Sequence, residues 1–170
     1  MADAGTSVAV AEVEVPAGPV DVAAAMAQLR IGDKPGFVSV DLADWERFLP
    51  RPELGIPTGS YRLVDVERGD EYVNWSPDEA LPAITERGRS PLTIVEGIAL
   101  VAAHPELLVP NRCFMLLGSR SGDKRVPALW ISGGTGKDGR ERKGAAKLGW
   151  CWAGNRHTWL GHASVAARVP

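Results

Sequence analysis

Apolar residues alternate with polar ones along Val8–Val15, which predicts a strand. The alternation slips phase at Ala11–Glu12, and such a slip points to a bulge in that strand. Tyr61–Val66 alternates in the same way and predicts a second strand. Between them, Asp21 is placed to cap a short alanine-rich helix ending near Gln28. Turn chemistry at Ile31–Gly36 precedes a short strand at Phe37–Val40. A helical turn is expected at Asp44–Phe48, then a proline- and glycine-rich loop from Pro50 to Gly59.

Two helix starts follow. Ser76-Pro77-Asp78-Glu79 combines a capping hydroxyl, a proline at the first helical position and a carboxylate three residues on. This helix should end near Arg87–Gly88. Thr93-Ile94-Val95-Glu96 is a second capping box, and Ile94, Ile98, Val101 and Ala102 have helical spacing up to His104, before Pro105. The remainder reads as sheet. Arg112–Gly118 is one strand, Ser119–Lys124 a hairpin connection and Arg125–Ser132 its partner, where Pro127 implies an edge or a bulge. Gly133–Ala145 is expected as a flexible charged loop, Lys147–Ala153 as a strand, Gly154–His157 as a turn and Trp159–Arg168 as the last strand. Residues 1–7 read as a flexible tail and residues 8–170 as a single α+β domain: a largely antiparallel sheet with two or three short helices.

Composition fits that picture. A chain of 170 residues with 45% hydrophobic residues is one domain's worth and too apolar for general disorder. No apolar run approaches the ~18 residues of a membrane span, so no membrane partner is expected. Met1–Gly5 lacks the charge and apolar core of a signal peptide, and the expected location is cytoplasmic. Cys113 and Cys151 lie in apolar runs and read as buried thiols.

The net charge of −2 hides an asymmetry: residues 1–110 carry −10 and residues 111–170 carry +8. Four of the six tryptophans, Trp130, Trp150, Trp152 and Trp159, fall in the same basic part. Side-by-side neutralisation within one domain is the favoured explanation of the charge, and core packing that of most tryptophans.

Several motifs fail on spacing. Gly133-Gly134-Thr135-Gly136-Lys137 lacks the glycine and the hydroxyl residue of a phosphate loop, having Ile131 and Asp138 at those positions. Cys151, His157 and His162 are metal-ligand types without a metal-site spacing. A Cys151–His157 nucleophilic pair is opposed by the apolar flanks of the cysteine. No metal and no cofactor are expected.

The best constellation lies on two turns. Arg120, Asp123 and Arg125 surround one; Asn155, Arg156, His157 and Trp159 surround the other. Arginine offers a donor fork for carboxylate or phosphate, asparagine a donor and an acceptor, and histidine a proton carrier near neutral pH. Arg120 and Arg125 are expected to bind an anion, Trp130 or Trp159 to wall the pocket, and His157, Asn155 and Asp123 to form the polar or catalytic set.

At these residues the chain resembles an uncharacterised actinobacterial family, a domain of unknown function. Thr93–Val101, Gly118–Ser132 and Leu148–Gly161 are similar to its signatures, and Gly36–Val38 and Asp65–Gly69 to its earlier segments, so the likeness spans about residues 35–170. The resemblance implies no activity. Against that resemblance a shortened chain is expected, without the family's longer helical N-terminal region; Ser121 stands where the family's turn has cysteine, and the Gly133–Ala145 connection is longer. These departures suit a paralogue with a specialised task, such as a biosynthetic step. The leading expectation is a small-molecule-binding protein, acting on or binding an anionic or polar-aromatic metabolite without a cofactor. The alternative is a non-catalytic assembly protein forming homo-oligomers. Single-stranded nucleic-acid binding ranks third.

Overall fold

The computed structural model describes residues 8–156 and 160–170. Its strands are β1 (Ala9–Val15), β2 (Arg30–Ile31), β3 (Lys34–Pro35), β4 (Phe37–Val38), β5 (Leu49–Pro50), β6 (Tyr61–Glu67), β7 (Ser90–Pro91), β8 (Cys113–Met115), β9 (Ser119–Arg120), β10 (Arg125–Ile131), β11 (Ala146–Trp152), β12 (Leu160–His162) and β13 (Ser164–Val169). The helices are α1 (Val22–Gln28), α2 (Pro77–Glu86) and α3 (Ile94–Ala103). The first sheet has the order β1-β6-β13-β7 and is antiparallel throughout. The second has the order β12-β8-β10-β11-β4, with β8, β10 and β11 antiparallel and a parallel strand at each edge. The fold is α+β, as the element pattern predicted.

All three helices begin at their predicted caps. Asp21 accepts from Ala24 N at 3.1 Å. Ser76 and Glu79 close one capping box, Thr93 and Glu96 another. The helix α3 is apolar on most sides because it lies between the two sheets. Ile98, Leu100 and Val101 pack with Val13 and Leu63 of the first sheet and with Phe114, Leu129 and Leu148 of the second. Burying each such side chain contributes about 1.5–3 kcal/mol. A second core forms on the opposite face of the second sheet, where Ala80 and Ile84 of α2 cover Cys113, Met115, Val126 and Ala128.

Four local expectations are corrected. The phase slip in β1 is not a bulge: β1 and β6 keep one unbroken register, Ala9↔Glu67 through Val15↔Tyr61. The distortion belongs to Asp65 of β6, whose φ is +57° and whose position the ladder skips on both sides. Pro127 lies on a central strand, between β8 and β11. Its carbonyl accepts from Leu116 N at 2.8 Å, so its nitrogen faces the side where the ladder to β8 has just ended. The strand predicted at Arg112–Gly118 stops at Met115, and Ser119–Arg120 pairs instead with Leu49–Pro50. The last predicted strand is two strands: β12 belongs to the second sheet and β13 to the first, and the chain crosses between them at Ala163.

The Gly133–Ala145 connection is folded. It makes two 3-10 turns, and Asp138 pins it to the body by accepting from Val40 N at 2.9 Å and meeting Lys147 Nζ at 2.6 Å. Arg142 lies 4.5 Å from the Phe37 ring centroid, and Lys34 donates to the Lys143 carbonyl. Among the described residues, no helix is long and apolar enough to cross a membrane.

Candidate functional site

The two turns singled out in the sequence lie side by side at one end of the β10–β11 pair. Arg125 sits opposite Trp152 in the register, and beyond that pair Ala153 N donates to the Lys124 carbonyl at 2.8 Å. The start of α2 joins them: Asp78 N donates to the Ala153 carbonyl at 3.1 Å. Arg156 then grips Glu79 with Nε at 2.8 Å and Nη2 at 2.7 Å. That grip, with the Ser76 amide behind it, holds the Glu79 carboxyl down at about 2.

Arg125 is saturated. Nη1 and Nη2 donate to Asp44 at 2.9 and 2.7 Å, and Nε and Nη2 donate to Asp123 at 3.0 and 2.8 Å. Its guanidinium also lies 4.9 Å from the Phe48 ring centroid and 6.0 Å from that of Trp150. Asp123 is equally engaged, accepting from Arg125 N as well, and Arg125 holds its carboxyl down at about 2. The same guanidinium pulls Asp44 below the usual carboxylate range. This cluster fixes the turn's shape and leaves Arg125 no donor nitrogen without a carboxylate.

Arg120 is different. Its Nη2 donates to the Asp123 carbonyl at 3.0 Å, but its Nε is buried and meets no hydrogen-bond partner among the described residues. Among the described residues, no carboxylate forms an ion pair with it. Burial, then the neighbouring Arg51 cation, push its pKa below the ordinary arginine value, against a weaker pull from Asp78 and Asp123. Arg51 arrives through the β5–β9 ribbon: Leu49 faces Arg120 in the register, and Arg51 N donates to the Gly118 carbonyl at 2.8 Å. Arg51 Nε is spent on the Leu117 carbonyl, and Nη1 approaches Glu53 only to 3.7 Å. The Ser121 hydroxyl lies beside the Asp123 carboxylate, outside hydrogen-bond geometry.

The other expected residues scatter. Trp130 is an odd number of positions from Arg125 along β10 and therefore faces the opposite side of the sheet. Its ring lies over Gly149, where an added Cβ would come within 2.4 Å of it, with Lys147 Nζ 5.1 Å from the centroid. Asn155 is exposed and closes its turn by donating its backbone N–H to the Trp152 carbonyl at 3.0 Å. His157 and Trp159 lie outside the described residues. Burial pushes the Cys113 thiol up to about 12 and the Cys151 thiol up to about 11, so both are protonated at neutral pH. Among the described residues, no three His, Cys, Asp or Glu side chains group as metal ligands. His162 Nε2 is turned to the Trp75 carbonyl at 2.9 Å.

Arg51 and Asp44 were not singled out in the sequence. Both come from the Asp44–Gly59 stretch, which has no periodicity to fix its direction. The β5–β9 pairing, two residues on each side, with the Arg51–Gly118 and Arg125–Asp44 hydrogen bonds, brings that stretch to Arg120 and Arg125. No curated protein and no solved structure matches the chain. A family match does exist, and it begins well before the motifs quoted above: over residues 4–170 the chain belongs to DUF5701, a family of unknown function.

Proposed function

We propose that the protein binds a small anionic metabolite through Arg120, with Arg51 as the second cation. The observation that carries this reading is a half-buried guanidinium whose Nε has no partner among the described residues and whose leading charged neighbour is another guanidinium. Holding such a group out of water costs free energy that a paired arginine recovers from its carboxylate. Elsewhere the chain does supply that partner: Arg68, Arg89, Arg125 and Arg168 all meet carboxylates. A carboxylate or phosphate bridging Arg120 and Arg51 offsets both the desolvation and the like-charge repulsion. Leu49, 64% exposed and opposite Arg120, adds an apolar flank for the body of the ligand. On this reading Asn155, on the adjoining tip, handles polar contacts to the bound anion, and His157, which lies outside the described residues, is the proposed proton carrier of any reaction on it.

The test is a side-chain NMR titration of the arginine Nε–H signals with inorganic phosphate, citrate and benzoate at constant ionic strength. The Arg120 and Arg51 signals shift saturably with at least one of these anions while Arg125 stays still, and Arg120→Gln abolishes the effect. Equal, non-saturating shifts at all arginines would remove the proposal. Self-assembly is the second reading. It rests on two exposed apolar side chains, Leu49 opposite Arg120 and Trp152 opposite Arg125, 64% and 48% exposed. Light scattering at high concentration tests it, and a strict monomer counts against it.

A further inference from the structure

A cleft of about 630 Å³ opens between α1 and α3, far in sequence from the turns described above. It exists because the two helices face each other with alanines: Ala25 on α1 and Ala99 and Ala102 on α3 are too short to close the gap. Its floor is core, including Leu29 and Ile98, 4% and 5% exposed. The volume falls within the ~300–1,000 Å³ of small-molecule sites, and a cleft between helices is a common place for one. Polar groups are few. Arg30, Gln28 and Glu14 also line it, so it holds one cation and one anion.

Arg30 is held in place. Its Nη1 donates to the Ala27 and Leu29 carbonyls at 2.6 and 3.0 Å, at the C-terminal end of α1. Its Nε and Nη2 make no hydrogen bond to any described residue, which leaves two adjacent donors for one planar acceptor. An apolar trough with one such fork suits a chain-like molecule with a single carboxylate. Glu14 repels a second negative charge. We propose that this cleft binds an aliphatic monocarboxylate, its chain between α1 and α3 and its carboxylate on Arg30. The proposal stands independently of the Arg120 site.

Calorimetric titration with decanoate and with decanol tests it on the full chain. The wild type takes up decanoate saturably. Ala102→Phe, at an exposed position, fills the trough and abolishes uptake while the melting temperature and circular dichroism stay native. Arg30→Gln weakens decanoate about tenfold, the scale of one charged hydrogen bond, and leaves decanol affinity unchanged. If Ala102→Phe disturbs the fold, Ala99→Leu is the filling variant that decides. The proposal is overturned if the wild type shows no saturable uptake below about 1 mM, or if a folded filling variant binds as the wild type does. It is equally overturned if sedimentation reveals a dimer that Ala102→Phe dissociates and decanoate does not, because the cleft is then an interface between copies.

Discussion

Arg168 of the last strand and Glu96 of the first turn of α3 meet as a two-point ion pair inside the protein, Nε to Oε2 at 2.6 Å and Nη2 to Oε1 at 2.9 Å. Glu96 is 0% exposed and has two further tasks: it closes the α3 capping box on Thr93 N, and it accepts from the Tyr61 hydroxyl at 2.8 Å. Through Tyr61 on β6 and Arg168 on β13, Glu96 therefore ties the two central strands of the first sheet to the start of the central helix. Arg168→Leu leaves the carboxylate buried without its cation, and about 3–5 kcal/mol of stability should be lost. Urea denaturation measures it; a loss within the error of a surface substitution contradicts the assignment.

Tyr61 supplies a pH dependence with a definite sign. Burial first, and the Glu96 charge second, raise its hydroxyl above the ordinary tyrosine value. A raised folded value favours the protonated form in the native state. The contribution is complete below about pH 10, where unfolded tyrosine titrates, and is lost as pH rises through the higher folded value. Stability should fall on the alkaline side, and Tyr61→Phe should flatten that limb. A difference spectrum at 295 nm showing Tyr61 ionising normally in the native protein would contradict this.

The acid limb has the opposite sign. Asp123 is held at about 2 by Arg125, so its contribution is present above the ordinary carboxylate range and is lost as pH falls toward 2. The pair is partly exposed, and salt should weaken it. Carboxyl carbon NMR should place the Asp123 midpoint near 2 at low salt and higher in Arg125→Met. An unchanged midpoint in that variant would show that Arg125 is not the cause.

Gly69 is required by a close backbone approach. Its φ is +84°, and a Cβ there would lie 1.9 Å from the His162 carbonyl oxygen. No side chain can yield to relieve that contact, so Gly69→Ala should cost more than about 3 kcal/mol. Gly55, also at positive φ but with open space around it, is the control: alanine there meets only the backbone penalty of about 1 kcal/mol.

Local chemistry explains which parts of this molecule were legible in its sequence. Asp21, Ser76 and Thr93 announce their helices because a cap is satisfied within three residues. The order of strands is not local. That Ala163 hands the chain from β12, at an edge of the second sheet, to β13, inside the first, is set by the whole topology, and the one glycine of Leu160–Val169, Gly161, lies within β12 and does not mark the crossing. The site divides in the same way. Arg120, Asp123 and Arg125 share one turn and could be grouped by inspection. Which arginine is spent and which is left over depends on Asp44 and Arg51, brought from far away in the chain.

The most direct test of the account is the melting temperature of the wild type and of Arg120→Met as phosphate, or the best anion from the titration, replaces chloride at constant ionic strength. If Arg120 is kept for a ligand, the variant without anion is at least as stable as the wild type, because it no longer holds an unpaired cation beside Arg51. Added anion then raises the wild-type melting temperature in a saturable way and leaves the variant unmoved. A variant that melts well below the wild type in chloride, together with equal responses of both proteins to the anion, would mean that Arg120 is a structural residue and that the turn binds nothing.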